Sequence, residues 1–258
     1  MKYYTKEWHR LMQNMNLAID MQAVPDKEYT DEDIAAFYQK DLAQYVGNNI
    51  RLYALMGRSI DVAVVQKDFE KKYQEKCQHV LDRYPAWVQD NVDPRLAALG
   101  RLPESVHVRL AAEDEAAAAF LTRVNDAARE ELDQQNLPEE AQFGLWMYAA
   151  NVLSLKEDGS DAALYLRKGS GMEGVSPYVK VTFQDVKSAE REEGLEFHMT
   201  KDEDGVFTSD TVFLYDETYR TADGYEVHML LQGADDLYYM TIVCGDIFYE
   251  ERIPESAL

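Results

Sequence analysis

Cysteine is scarce in this chain: Cys77 and Cys244 are the only two among 258 residues, and they lie far apart in sequence. Two cysteines are too few for a disulfide framework, so we expect a chain that folds in a reducing compartment. Long apolar runs are also lacking, because no stretch approaches the roughly 18 residues that a membrane-spanning helix needs. The opening residues, MKYYTKEWHRLMQ, contain no apolar segment of the kind found in signal peptides. The sequence therefore predicts a cytoplasmic protein with no membrane partner.

Basic side chains are outnumbered, with 26 Lys and Arg against 48 Asp and Glu and a formal charge of −22. This charge repels nucleic acid and anionic lipid, which excludes both as ligands. The excess is uneven: residues 1–150 carry 17 basic and 25 acidic side chains, and residues 151–258 carry 9 and 23. We expect any protein partner to be basic and to bind the acidic second half. The simpler interpretation is that the charge only aids solubility.

Up to about residue 136, apolar residues recur at helical spacing. The segment TDEDIAAFYQKDLAQYVG predicts a helix that begins after Thr30 and ends near Gly47. The segment DPRLAALG predicts a short helix capped by Asp93 and ended by Gly100. The run IRLYALMGRSIDVAVV, residues 50–65, is apolar but too short to separate a helix from a buried strand.

From about Asn151 the apolar period falls to two, which is typical of strands that bury one face. Strands joined by short connections, several with an Asp-Gly turn, form antiparallel sheets. The sequence therefore predicts an α+β protein, with an N-terminal all-helical domain over residues 1–137 and a C-terminal antiparallel β-sheet domain over residues 138–258. The predicted strands cover residues 151–158, 161–168, 177–186, 194–200, 211–220, 224–232 and 237–246.

The stretch GYEVHMLLQGADDLYYMTIVCGD combines a histidine, a cysteine and three aspartates, and it raises the question of a reactive site. A four-residue loop over residues 233–236 gives one face on which all eight paired side chains are apolar or aromatic. Cys244 then belongs to the core and is not a nucleophile, because an apolar setting keeps a thiol protonated. The facing pairs are Leu231–Tyr238, Met229–Met240, Val227–Ile242 and Tyr225–Cys244.

The preceding hairpin is predicted to turn through a three-residue loop, residues 222–224. This register places Thr218 beside His228 on one side, and Thr241 lies beside it on the other. His228 is therefore predicted to be a half-exposed strand residue in a polar row and not a catalytic base. The same register leaves Glu217 opposite an apolar side chain, for which the pattern offers no reason.

Other chemical patterns in the sequence are incomplete. Cys77 and His79 lie two residues apart on a predicted helix, so they point in different directions and do not form half of a zinc site. Asp202, Asp204 and Gly205 match part of a calcium-binding loop, but its first and twelfth positions lack the required carboxylates. No catalytic, cofactor-binding or metal-binding residue is predicted, and no cofactor is expected.

Two further patterns have simple structural interpretations. Asp93 and Arg95 are interpreted as part of a helix start in preference to an ion pair in a cleft. The segment KGSGMEG, residues 168–174, lacks both the spacing of a phosphate-binding loop and a helix after it.

Two stretches resemble a family of uncharacterised proteins, a domain of unknown function found mainly in Firmicutes. The opening MKYYTKEW is similar to that family's Met-Lys-Tyr-aromatic-Thr-Lys-Glu-Trp start. The segment YPAWVQDNVDPRLAALG resembles an internal family pattern through Pro85, Val92, Asp93, Arg95, Ala98, Leu99 and Gly100. Where family members carry Leu-His-Asp before the first strand, this chain has MYAA, residues 147–150. The resemblance implies a cytosolic protein of two parts and brings no activity.

The function that these observations favour is non-catalytic protein binding through an acidic surface, and the sequence inclines against an enzyme. Two alternatives stay open. One is a hydrolase whose carboxylates lie at the junction of the two domains. The other is an immunity-type inhibitor that binds a basic toxin.

Overall fold

The fold is α+β, as the sequence predicted, with helices followed by an antiparallel sheet of eight strands. A computed structural model describes residues 1–169 and 176–258, apart from the side chain of Leu145. The chain forms two compact units. Leu11–Phe120 is the helical unit, and Met1–Arg10 with Leu121–Leu258 is the sheet unit. The division does not follow the change from helix to strand, because Met1–Arg10 and the last turns of a long helix group with the sheet.

The helices begin where the sequence supplies caps. Thr30 and Asp33 form a reciprocal capping box, and Asp93 accepts a hydrogen bond from the Arg95 amide, as predicted. The expected helix end at Gly47 is wrong, because the following residues continue the helix and the glycine with positive φ is Gly57. The helices are α1 (Lys6–Gln13), α2 (Asp31–Leu55), α3 (Val62–His79), α4 (Ala86–Gln89), α5 (Pro94–Ala98) and α6 (Glu104–Gln134).

In the helical unit, α2 and α3 form a hairpin held by aromatic side chains. Tyr38 packs against Phe69 and Tyr73, and Tyr45 also packs against Phe69, with ring centroids 4.9 to 5.3 Å apart. Two short strands, β1 (Gln22–Val24) and β2 (Arg101–Pro103), pair in parallel within this unit. Its apolar core consists of Leu17, Ala18, Tyr84, Val88, Val92, Ala97, Leu102, Val106 and Leu110.

The sheet unit contains eight strands in the order β12-β5-β4-β3-β9-β10-β11-β6 and a separate hairpin of β7 and β8. The strand predicted over residues 194–200 is wrong, since only Thr200 joins a strand and Leu195 is buried outside any strand. The strands are β3 (Asn151–Asp158), β4 (Asp161–Arg167), β5 (Tyr178–Gln184), β6 (Ser188–Arg191), β7 (Thr200–Lys201), β8 (Phe207–Thr208), β9 (Val212–Thr221), β10 (Gly224–Gln232), β11 (Leu237–Cys244) and β12 (Asp246–Glu251).

One apolar core unites both ends of this sheet. Strands β4, β5 and β12 contribute buried side chains to the same cluster as β9, β10 and β11, so the sheet curves around it. A 3-10 helix, Glu139–Trp146, contributes Phe143, which packs against Phe183 and Phe213. The opposite face of β9, β10 and β11 holds a smaller cluster that includes Leu214, Leu230 and Leu237, with Met1 packed against it.

Candidate functional site

The register of β10 and β11 is confirmed. Tyr225 pairs with Cys244 and His228 pairs with Thr241, so the histidine and the cysteine point to opposite faces of the sheet. Cys244 is 1% exposed within the main core. Burial raises the pKa of its thiol to about 12, which keeps the thiol protonated at neutral pH. The two residues cannot act on one substrate atom.

We expect Cys244 to be unreactive towards a thiol reagent in the folded protein, because a buried, protonated thiol is a poor nucleophile. Titration with a chromogenic disulfide should modify Cys77, which is partly exposed, and should reach Cys244 only after denaturant is added. The variant Cys77→Ser isolates the signal of Cys244. Rapid modification of that variant without denaturant would contradict the placement of Cys244 in the core.

The predicted register of β9 and β10 is wrong by one residue. The connecting loop has two residues, Ala222 and Asp223, and Gly224 already pairs with Thr221. His228 consequently lies beside Glu217 and not beside Thr218. A β-bulge opposite Leu230 and Leu231 shifts the pairing by one more residue, so Leu231 and its partner Phe213 both face the core. The alternation of apolar residues alone does not reveal this bulge.

Glu217 lies on the same face of the sheet as His228, and 0% of its surface is exposed. Its carboxylate accepts hydrogen bonds from three successive backbone amides, those of Lys2, Tyr3 and Tyr4, at 2.6, 2.7 and 2.7 Å. The hydroxyl of Tyr219 donates a fourth at 2.9 Å. Successive amides that converge in this way form an anion-binding concavity. Glu217 therefore fastens the N-terminal segment to the sheet.

His228 continues the same polar row. Its Nδ1 lies 3.1 Å from the Thr241 hydroxyl and its Nε2 lies 3.1 Å from a carboxylate oxygen of Glu226. Its ring contacts that of Tyr219 edge to face, at 5.9 Å between centroids. Burial lowers the pKa of His228, so the imidazole is neutral at physiological pH. The prediction of a strand residue in a polar row holds, but Glu217 replaces Thr218 as its neighbour.

Asp216 faces the opposite side, towards the main core. It pairs with the buried Met229, and its only hydrogen-bond donor among the described side chains is the hydroxyl of Thr218, 3.0 Å away. Its Oδ1 occupies the space that a side chain at Gly144 would need, since a β-carbon there would lie 1.6 Å away. Burial raises the pKa of Asp216 to about 6. The 3-10 helix thus comes close to this carboxyl group only because residue 144 is glycine.

These groups do not form a catalytic pair. Asp216 and Glu217 are neighbours in one strand and project to opposite faces, so their carboxyl groups cannot share a substrate. The carboxylate of Glu217 is also fully engaged by its four donors. Within the described residues, no group of three or more His, Cys, Asp and Glu side chains is arranged to hold a metal ion. No described helix is long and apolar enough to cross a bilayer.

The other patterns noted in the sequence have structural roles. Asp202 accepts hydrogen bonds from the amides of Asp204 and Val206 and stabilises the turn between β7 and β8. The backbone amide of Arg95 donates the capping hydrogen bond to Asp93 at the start of α5, and its guanidinium also forms an ion pair with the Asp93 carboxylate. The same guanidinium forms a second ion pair with Asp31.

Cys77 and His79 do not share partners. His79 pairs with Asp82, with its Nδ1 3.1 Å from a carboxylate oxygen, and residues two positions apart on a helix point in different directions. Residues 170–175 of the KGSGMEG segment lie outside the described residues.

The sequence did not identify Asp216 and Glu217 as important. Their strand was predicted, and the unexplained position of Glu217 opposite an apolar residue was the one available signal. Comparisons with family models, curated proteins and solved structures found no match to this chain. The resemblance to the Firmicute family of unknown function therefore stays a prediction.

Proposed function

We propose that the chain is a non-catalytic protein-binding module that presents an acidic surface of its sheet unit to a basic segment of a partner protein. The sheet unit carries 14 basic and 30 acidic side chains, a formal charge of −16. The single observation that supports this most is the composition of one sheet face. Two carboxylates and no lysine or arginine occur at the outward positions of this part of the sheet, which hold Glu226, His228, Thr241, Val243, Ser188 and Glu190.

The chain's own N-terminal segment illustrates how such a partner would bind. Lys2, Lys6 and Arg10 follow one another at four-residue intervals, and each pairs with a carboxylate of the sheet unit. Their partners are Glu131, Glu192 and Asp236, respectively. A basic segment with the same spacing, from another protein, would find Glu190 and Glu226 on the adjoining part of this face.

The test uses a fluorescent synthetic helix-forming peptide with lysine at every fourth position and a scrambled-charge peptide for comparison. We expect binding by fluorescence anisotropy that weakens as salt rises from about 50 mM to about 300 mM, because salt screens exposed charges. The double variant Glu190→Lys with Glu226→Lys should weaken binding about tenfold, since each exposed ion pair contributes up to about 1 kcal/mol.

The matched control is Glu157→Lys with Glu203→Lys, which changes the net charge of the same unit equally at two other exposed sites. If both double variants weaken peptide binding equally, the position of the carboxylates on the acidic face does not matter and the proposal fails. Binding that ignores salt would also count against the proposal.

The alternatives rest on less. An immunity-type inhibitor is the same proposal with a basic toxin as the partner, and only the charge supports it. The observation that favours the hydrolase is the pKa of Asp216, which burial raises to about 6, close to the pH at which a general acid or base works. A hydrolase would need a second carboxyl group on the same side of the sheet, and the adjacent Glu217 faces the other way.

A further inference from the structure

The end of the α2–α3 hairpin exposes large apolar side chains. We name residues 50–64 the hairpin tip. Leu55 is 82% exposed, Val64 is 61% exposed and Leu52 is 54% exposed. The other exposed apolar residues of the tip are Ile50, Met56 and Val62. Contiguous exposed apolar side chains on a soluble protein mark an interaction surface.

The aromatic packing of the hairpin lies away from these residues. The aromatic contacts that join α2 to α3 involve Tyr38, Tyr45, Phe69 and Tyr73, all of which lie outside the tip. Only Val65, at the margin of the tip, is fully buried there. The exposed apolar side chains of the tip are therefore separate from the aromatic contacts that join α2 to α3.

The charges around the tip are basic, in contrast to the rest of the chain. Arg51 and Arg58 are exposed, and the tip has one acidic residue, Asp61. The carboxylate of Asp61 caps α3 by accepting a hydrogen bond from the Ala63 amide at 2.9 Å. A partner that complements the tip has an apolar centre with acidic groups on either side.

The outer face of β12 has this composition. Asp246, Phe248 and Glu250 alternate with the inward-facing Ile247 and Tyr249, so all three project outwards. Phe248 is 43% exposed, and the side chain of Glu250 is 57% exposed with Lys180 3.4 Å away. Two carboxylates about 13 Å apart along the strand thus flank an exposed aromatic ring.

We infer that the hairpin tip of one copy of this chain binds the outer face of β12 of a second copy, with Phe248 against the apolar tip and the arginines against Asp246 and Glu250. The contact joins two different surfaces. Formed twice between the same two copies it closes a two-fold dimer, and formed once between successive copies it is heterologous and builds a larger assembly. It is separate from the proposed acidic face, because neither Glu190 nor Glu226 takes part.

The test is sedimentation equilibrium of the full chain at concentrations up to about 200 µM. We expect reversible association of the wild type. The tip variant Leu55→Asp with Arg58→Glu and the strand variant Phe248→Ser with Glu250→Lys should each weaken association at least about tenfold. All four residues are exposed, and circular dichroism would verify that both variants fold.

An equimolar mixture of the two variants decides the geometry. The strand variant retains an intact tip and the tip variant retains an intact β12 face, so the mixture should form a 1:1 complex that neither variant forms alone. A monomeric wild type, or association that both variants preserve, would overturn the inference. Association that only the tip variant loses and the mixture does not restore would indicate tip-to-tip contact and overturn it as well. The double variant Glu190→Lys with Glu226→Lys should associate like the wild type.

Discussion

Replacing Glu217 by alanine is expected to lower the free energy of unfolding of the sheet unit by about 3–5 kcal/mol. The substitution leaves the amides of Lys2, Tyr3 and Tyr4 without their acceptor and opens a cavity beneath them. Glu217→Gln should also destabilise, because the amide group offers one acceptor oxygen in place of two and turns an N–H towards donors. Urea unfolding followed by tryptophan fluorescence measures both losses.

Glu226→Ala is the matched control, since Glu226 lies on the same face of the neighbouring strand and is partly exposed. Its removal should change the free energy of unfolding by no more than about 0.5 kcal/mol. In Glu217→Ala, hydrogen exchange at the amides of residues 2–4 should become fast. A loss below about 1 kcal/mol, or continued protection of these amides, would show that Glu217 does not hold the segment.

Asp216→Asn is expected to stabilise the protein at pH 7.5 by about 2–3 kcal/mol. Burial raises the pKa of Asp216 to about 6 from the ordinary value of 3.8, so the folded state holds this proton more tightly than the unfolded state. The protonated carboxyl therefore favours folding at low pH, and that advantage is lost as pH rises through about 6. Asparagine keeps an acceptor for the Thr218 hydroxyl and never acquires the charge.

The measurement is urea unfolding of wild type and variant between pH 4 and pH 7.5. The difference in free energy of unfolding between wild type and variant should shrink to about 0.5 kcal/mol at pH 4. At that pH the Asp216 carboxyl of the folded wild type is largely protonated, and the asparagine of the variant carries no charge. Asp210→Asn, which removes a carboxyl group at an exposed position of the same unit, is the matched control. A constant difference across the range would mean that Asp216 does not titrate as its surroundings indicate.

The register of β10 and β11 was predictable because the apolar side chains of both strands must lie on the same face of the sheet. Every facing pair on the inner side is apolar or aromatic, and a slip of one residue would turn the apolar side chains of one strand to the opposite face. The burial of Cys244 in the core followed directly from that register. The capping residues Thr30 and Asp93 were predictable for a similar reason, since each cap depends on residues within four positions.

The register of β9 was not predictable from alternation. A two-residue loop and a three-residue loop both suit the sequence around Gly224, and the irregularity farther along hides the difference. The partners of Glu217 are backbone amides more than 200 positions away, and an amide leaves no signature in the sequence. The close approach of Gly144 to Asp216 is equally a product of the folded chain.

The apolar run over residues 50–65 was ambiguous because it belongs to neither a strand nor a core. It spans the last turn of α2, a short connection and the start of α3, and most of its apolar side chains remain in solvent. Interpretation of apolar period and hydropathy assumes that apolar residues are buried, so neither separates helix from strand where the apolar side chains are exposed.

The division of the chain also bears on its synthesis. The helical unit is inserted between residues 10 and 121 of the sheet unit, so the ribosome completes it before any strand of the large sheet has emerged. The first ten residues bind Glu217 in β9 and Tyr239 in β11, so more than 200 further residues must be translated before these partners are complete. Domains generally fold as units as they leave the ribosome. We therefore expect the helical unit to be folded, and the leading segment still free for chaperones, when translation reaches the sheet.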